Sequence, residues 1–223
     1  MINVTDFDAL ILDMDGVLAD TEPVFFEAFE VLLVGYDVTL SPEYLCSLVG
    51  HSAQKNFEDI SRDFSLKLNV GECVRKLEDS YIHLLQTRTI PANPGVWALI
   101  DKSKMGELAL GLCTSSSRIQ TDTVLHQIWR NDRPNYPKPH DVFDAIVTGD
   151  DVTKKKPDPE PYHRITAALK TNPSHCLVIE DSASGIQSAK SAGCVCVGLR
   201  TAYNRELEFG FADGVINTME DLI

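Results

Sequence analysis

Phe7-Asp8-Ala9-Leu10-Ile11-Leu12-Asp13-Met14-Asp15-Gly16 is the stretch on which the fold turns. Residues 7–12 are a short, nearly continuous apolar run, and two carboxylates follow it directly. A run that short, without polar alternation, suits a strand of a parallel sheet covered on both faces. Similar runs recur at 107–113, 143–148, 176–180 and 194–198. Helical patterns separate them at about 96–102, 118–129, 161–170 and 185–192. Strand and helix in alternation predict an α/β fold: a doubly wound parallel sheet with right-handed crossovers. Such sheets carry their sites beyond the carboxyl ends of the strands, where Asp13 and Asp15 stand.

Residues of about 20–88 read differently. Helical signals dominate there and strand signals are absent. Thr21 can cap a helix that runs to Gly35. Ser41-Pro42-Glu43 is a start signal with proline at the first helical position. Ser52 can cap the next helix, and Gly71 precedes another with apolar Val74, Leu77, Tyr81, Leu84 and Leu85. Pro91 and Pro94-Gly95 then break the chain before α/β alternation resumes. The expected organisation is a core of residues 1–19 and 89–223 with a helical insert of about four helices at 20–88. Residues 126–140 read as a polar, proline-rich surface loop without helix.

The 223 residues suit one medium domain, or a core carrying a smaller insert. The formal net charge of −13 argues against nucleic acid, whose phosphates such a chain repels. It should also repel a phosphorylated metabolite, so that substrate would need local cations. No stretch approaches the roughly 20 apolar residues that span a bilayer. Residues 1–6 lack the basic and apolar pattern of a secretion signal, which places the protein in the cytoplasm. Six scattered cysteines without a C-x-x-C pair read as small buried hydrophobes.

Four features carry chemistry. Asp13 and Asp15 end the first strand, and Gly16 lets the backbone turn sharply beside them. A calcium loop fails on spacing, because Val17, Leu18 and Val24 stand where it needs an oxygen ligand, glycine and glutamate. A metal ligand pair, a nucleophile with its acid partner, and two solvated turn carboxylates remain open. Cys113-Thr114-Ser115-Ser116-Ser117 ends a second strand at a helix start, fit for cradling phosphate or for capping the helix. Lys154-Lys155-Lys156-Pro157-Asp158-Pro159 fixes the backbone after Lys156, so this lysine has a reproducible direction. Glu180-Asp181-Ser182-Ala183-Ser184-Gly185 repeats the acidic strand end, with Asp181 either a helix cap or a ligand for a hard cation.

Taken in order, Asp13-Met14-Asp15-Gly16-Val17-Leu18-Ala19-Asp20-Thr21-Glu22-Pro23, Cys113-Thr114-Ser115-Ser116, Lys156-Pro157-Asp158-Pro159 and Glu180-Asp181-Ser182-Ala183-Ser184-Gly185 resemble the haloacid dehalogenase superfamily. The likeness covers nearly the whole chain and is to the phosphatase and phosphomutase branch with a helical cap. It implies a Rossmann-like core and an inserted helical-bundle cap. It implies that Asp13 attacks phosphorus and that Asp15 protonates the leaving group, then deprotonates water. Thr114 and the Ser115 amide would hold phosphate oxygens, with Lys156 balancing charge. Asp13, the Asp15 carbonyl and Asp181 would bind Mg2+, with Glu180 a direct or water-mediated ligand. Gly16, Ser115, Ser116, Thr21 and His51 complete the expected phosphate- and substrate-binding set. Asp15 itself favours phosphoryl transfer, since dehalogenases of this superfamily lack it. Phe25 and the Gly50-His51-Ser52-Ala53 segment depart from the related sugar phosphomutases, which have a histidine and an arginine there. The expectation is a phosphatase of a small phosphorylated metabolite, a sugar or polyol phosphate. A phosphomutase and a non-catalytic binding protein on the same fold are the alternatives.

Overall fold

The computed structural model describes residues 2–223. Two compact units divide the chain: Met1–Asp20 with Ile90–Ile223, and Thr21–Thr89. The first holds a six-stranded parallel sheet: β1 (Ala9–Leu12), β2 (Ala109–Cys113), β3 (Ala145–Val147), β4 (Cys176–Glu180), β5 (Val195–Leu199) and β6 (Gly214–Ile216). Their order is β3-β2-β1-β4-β5-β6. The chain builds outward from β1 to β3, then returns to the other side of β1 for β4. The reversal lies between β1 and β4, and a crevice beyond the strands opens at such a point.

Register brings the chemical motifs together. Leu12 pairs with both Leu112 and Ile179, so the next residues on the three central strands are Asp13, Cys113 and Glu180. The central strands are near-continuous apolar runs because both faces are covered. Every residue of β1 and β4 is buried. Five helices accompany the sheet: α5 (Val96–Met105), α6 (Arg118–Asp132), α7 (Pro139–Val142), α8 (Glu160–Ala168) and α9 (Ala183–Ser191). Tyr162, Ile165 and Ile186 from α8 and α9 join Ile11, Val178 and Cys196 in one core cluster. The six cysteines are free thiols, and Cys113, Cys176, Cys194 and Cys196 are core residues, as their apolar settings predict.

The second unit holds α1 (Glu22–Leu33), α2 (Pro42–Ser47), α3 (Ala53–Asp63) and α4 (Val70–Thr87). Its centre is aromatic: Phe29 lies 5.0 Å from Phe25 and 5.1 Å from Phe57. Ser41 and Ser52 cap α2 and α3 through their side chains, as expected. Two details differ. Thr21 occupies the cap position of α1 without a side-chain cap bond, and a 3-10 turn at Val34–Tyr36 succeeds α1. α4 begins at Val70, so Gly71 lies inside the helix and not before it, and the Asn69 side chain caps it by accepting the Glu72 N–H.

The segments that leave and re-enter the first unit run side by side. Asp20 N–H donates to Pro91, Asn93 N–H donates to Leu18, and Ala19 bridges Ala92 in antiparallel fashion.

The 126–140 segment is less of a loop than its composition predicts. α6 continues through Asp132, since the first proline comes only at Pro134. Pro139 then opens α7 from the first-turn position that tolerates proline. The turn between them is held down. Trp129 Nε1 donates to the Pro137 carbonyl, and Tyr136 Oη donates to Asp101. The Arg133 guanidinium lies 5.4 Å from the Trp97 ring and pairs with Asp101. No helix among the described residues is long and apolar enough to cross a membrane.

Candidate active site

Asp13 prolongs β1 by one rung, its N–H donating to Ile179 at 3.1 Å. The chain then turns at once, with Leu18 and Ala19 N–H groups both donating to the Met14 carbonyl. Gly16 takes a φ of +72° in this turn, a conformation that costs residues with a Cβ about 1–2 kcal/mol. Asn93 Nδ2 pins the turn, donating to the carbonyls of Gly16 at 2.8 Å and Val17 at 3.0 Å. The Asp15 carboxylate accepts a hydrogen bond from Ser116 Oγ at 2.7 Å.

Lys156 is the hub. Its side chain is 4% exposed, and Nζ donates to Asp13 Oδ1 at 2.7 Å, Glu180 Oε1 at 2.6 Å and the Cys113 carbonyl at 2.7 Å. An ammonium has three protons, and these three acceptors use them all. Lys154 and Lys155 are exposed, as a solvated run would be, with Lys155 Nζ near the Ser115 carbonyl at 3.4 Å. Burial alone would lower the Lys156 pKa, but the charges of Asp13 and Glu180 hold it well above the usual lysine value. The Asp13 carboxyl is raised as well. Burial first, then the Glu180 charge, brings it to about 8, against the opposing pull of Lys156.

Glu180 is fully buried. Tyr162 Oη donates to its Oε1 at 2.6 Å and Ser182 Oγ to its Oε2 at 3.2 Å. Burial, then the Glu180 charge, holds the Tyr162 phenol well above its usual pKa, so it stays a donor. The carboxylate packs directly on α9: a Cβ added at Gly185 would lie 2.0 Å from Glu180 Cδ. Gly185→Ala therefore forces either the helix or the carboxylate to move. It is expected to cost about 1–3 kcal/mol of stability, measurable as a lower urea midpoint. An unchanged midpoint would show that Glu180 swings away freely.

Asp13, Glu180 and Asp181 each offer a carboxylate oxygen, and these three atoms lie within 4.8 Å of one another. Three buried carboxylates against the single ammonium of Lys156 leave two negative charges uncompensated. Burial first, and then this excess of negative charge, raises the Asp13 carboxyl. A divalent, oxygen-preferring cation matches both the charge and the hard donors. The Asp15 carboxylate is outside this trio.

Neighbouring residues hold these groups in place. Asn204 Nδ2 donates to the Asp181 carbonyl at 2.8 Å and to Leu199 at 3.0 Å. Ser182, not Asp181, caps α9, because its hydroxyl reaches the Gly185 N–H. Ser117 caps α6 in a reciprocal box with Gln120. The buried Thr114 hydroxyl accepts the Ser116 N–H at 3.0 Å, which leaves its own proton to donate. Ser115 is exposed at the strand end. Thr21 and His51 belong to the helical unit. Thr21 is buried, and the exposed His51 donates from Nδ1 to the Ser47 carbonyl of α2 at 3.1 Å.

Asn93, Tyr162, Ser182, Gly185 and Asn204 are site residues that motif reading misses. Gly185 and Ser182 stood inside a quoted motif, and only packing shows their use. The other three act across long sequence separations.

This arrangement has close relatives. Residues 10–199 match the family model described as haloacid dehalogenase-like hydrolase. The protein CbbY of Rhodobacter capsulatus is 32% identical over 218 residues, covering 93% of this chain and 92% of that protein. A phosphorylated carbohydrates phosphatase of Thermotoga maritima is 30% identical over 186 residues, 83% of this chain and 82% of that one. The crystal structure of CbbY from Rhodobacter sphaeroides in complex with xylulose-(1,5)bisphosphate is similar at a TM-score of 0.79. Its identity to this chain is 25%, and the match covers 97% of this chain and 96% of that one. The chain belongs to the haloacid dehalogenase-like hydrolases, on their phosphatase branch.

Proposed function

We propose that this chain hydrolyses a small phosphate ester of sugar or polyol type, with magnesium, through a phosphoryl group carried on Asp13. The observation that carries the reading is the buried Asp13 carboxylate, ion-paired to Lys156 within a three-carboxylate cluster. A second acid, Asp15, stands two residues on and outside that cluster.

A carboxylate oxygen of Asp13 attacks phosphorus, and the bond to the ester oxygen breaks. Asp15 delivers a proton to that leaving oxygen, and Ser116 Oγ holds the Asp15 carboxyl in place meanwhile. Asp15, now a carboxylate, takes a proton from water, whose oxygen attacks the phosphorus and frees Asp13 with inorganic phosphate. Lys156 keeps Asp13 aligned and offsets negative charge throughout. The Thr114 hydroxyl, with the Ser115 amide, is assigned to the phosphate oxygens. Asp13, Glu180 and Asp181, with the Asp15 carbonyl, would hold the magnesium ion, which supplies positive charge for the phosphoryl oxygens. Substrate selection is assigned to the helical unit, with Thr21 and His51 its candidate contacts. The carbohydrate phosphatase and the bisphosphate-bound CbbY among the relatives support a phosphorylated sugar as substrate.

The test is a panel of phosphate esters with magnesium, read as phosphate release, and product analysis on a hexose 1-phosphate. Free phosphate with unrearranged sugar is expected. An isomerised sugar phosphate with little free phosphate would replace hydrolysis by mutase chemistry.

Asp13 also sets a pH dependence for the metal. Below about 8 its carboxyl holds a proton that a bound cation must displace. Magnesium affinity, measured as a thermal shift without substrate, is expected to rise with pH by up to about tenfold per unit and level off above that value. A flat response from pH 6 to 8 would remove Asp13 from the ligand set.

A further inference from the structure

No step of the reaction touches Tyr162, yet its phenol is fully buried and aimed at the site. It lies on α8, six residues past Lys156, and its ring centroid is 5.1 Å from Lys156 Nζ. One oxygen, Glu180 Oε1, accepts from both Tyr162 Oη and Lys156 Nζ, each at 2.6 Å. A carboxylate oxygen has two lone pairs, so these donors fill Oε1. The capacity left for a cation is on Oε2, which takes only the longer bond from Ser182 at 3.2 Å. With all three Lys156 protons committed, no other donor of that hub can replace the phenol.

We propose that Tyr162 is a positioning residue of the metal and phosphoryl site: its O–H locks Glu180 so that Oε1 faces Lys156 and Oε2 is the oxygen offered to the cation. Without that bond Oε1 regains a lone pair, and the carboxylate is held only by Lys156 and the longer Ser182 bond. Lys156 is then held less firmly toward Asp13, and the trio of carboxylates loses its fixed spacing. The inference rests on the magnesium-phosphatase reading and adds to it a residue that touches neither metal nor substrate.

Tyr162→Phe isolates the hydroxyl, because the ring and its packing remain. The magnesium concentration for half the thermal shift, taken without substrate, is expected to rise about tenfold, the lower end of what outer-shell changes cost. The kcat for a phosphate ester should fall by a similar factor while its KM stays put. A cycle with Glu180→Gln separates positioning from plain packing. If Tyr162 acts through Glu180, the Phe substitution on top of Glu180→Gln adds less than about a twofold change. Fold-changes that simply multiply would overturn the inference, as would a Phe variant with the parent's magnesium midpoint and kcat. A parent that neither shifts with magnesium nor releases phosphate would instead overturn the phosphatase reading, and this one with it.

Discussion

Asp13→Asn is expected to remove phosphate release by about 10⁴-fold or more, since an amide cannot carry the phosphoryl group. The same variant should fold. Asn preserves the shape and an acceptor oxygen for Lys156. It is also neutral, as the parent carboxyl is without metal below its raised pKa of about 8. A second consequence follows by linkage. An aspartate held above its unfolded value keeps a proton in the native state that the unfolded chain has already lost. The metal-free parent therefore loses stability as pH rises from the ordinary aspartate value of 3.8 toward about 8. Asp13→Asn lacks that slope. Melting curves of both proteins in chelator across this window measure it. Parallel curves would mean that Asp13 is ordinary, and full turnover by the variant would sink the covalent mechanism.

Lys156→Met is the change with the largest expected effect on folding. It preserves an apolar stem and removes the only ammonium bonded to Asp13 and Glu180 among the described residues. Breaking a buried pair by deleting one partner costs about 3–5 kcal/mol, because the remaining charge is stranded. Here the stranded charge is Glu180, since Asp13 keeps its proton below about 8, and a cost within that range is expected, read from urea unfolding. Phosphate release should be lost as well, since Asp13 would hold its proton more tightly. A loss under about 1 kcal/mol would show that water already screens this trio.

Much of this was legible from residue order. The apolar run before Asp13 could be little other than a buried parallel strand, and the prolines after Lys156 marked that lysine apart from its two exposed neighbours. Paired acids at two strand ends predicted the carboxylate cluster. β6 was not legible: Gly214-Val215-Ile216 is three residues long and leaves Val215 half exposed, so it shows no apolar run. α6 was cut short because composition was averaged across a boundary that the first proline sets. Asn93, Tyr162 and Asn204 were invisible for a different reason. Asn93 reaches back 77 residues to Gly16 and Tyr162 forward 18 residues to Glu180. Only the folded register shows that such polar side chains meet a carbonyl or carboxylate.

The paired segments at Ala19–Ala92 bear on how this chain can change. Departing and returning strands are zipped together on the sheet-bearing side, so the ends of the helical insert are already closed there. Little loop-closure entropy then depends on what lies between them. The helical segment behaves as a replaceable cassette on a fixed mount. Swapping it for the equivalent segment of a relative, cut at 20 and 90, should leave the sheet and its carboxylates intact while transferring ester preference.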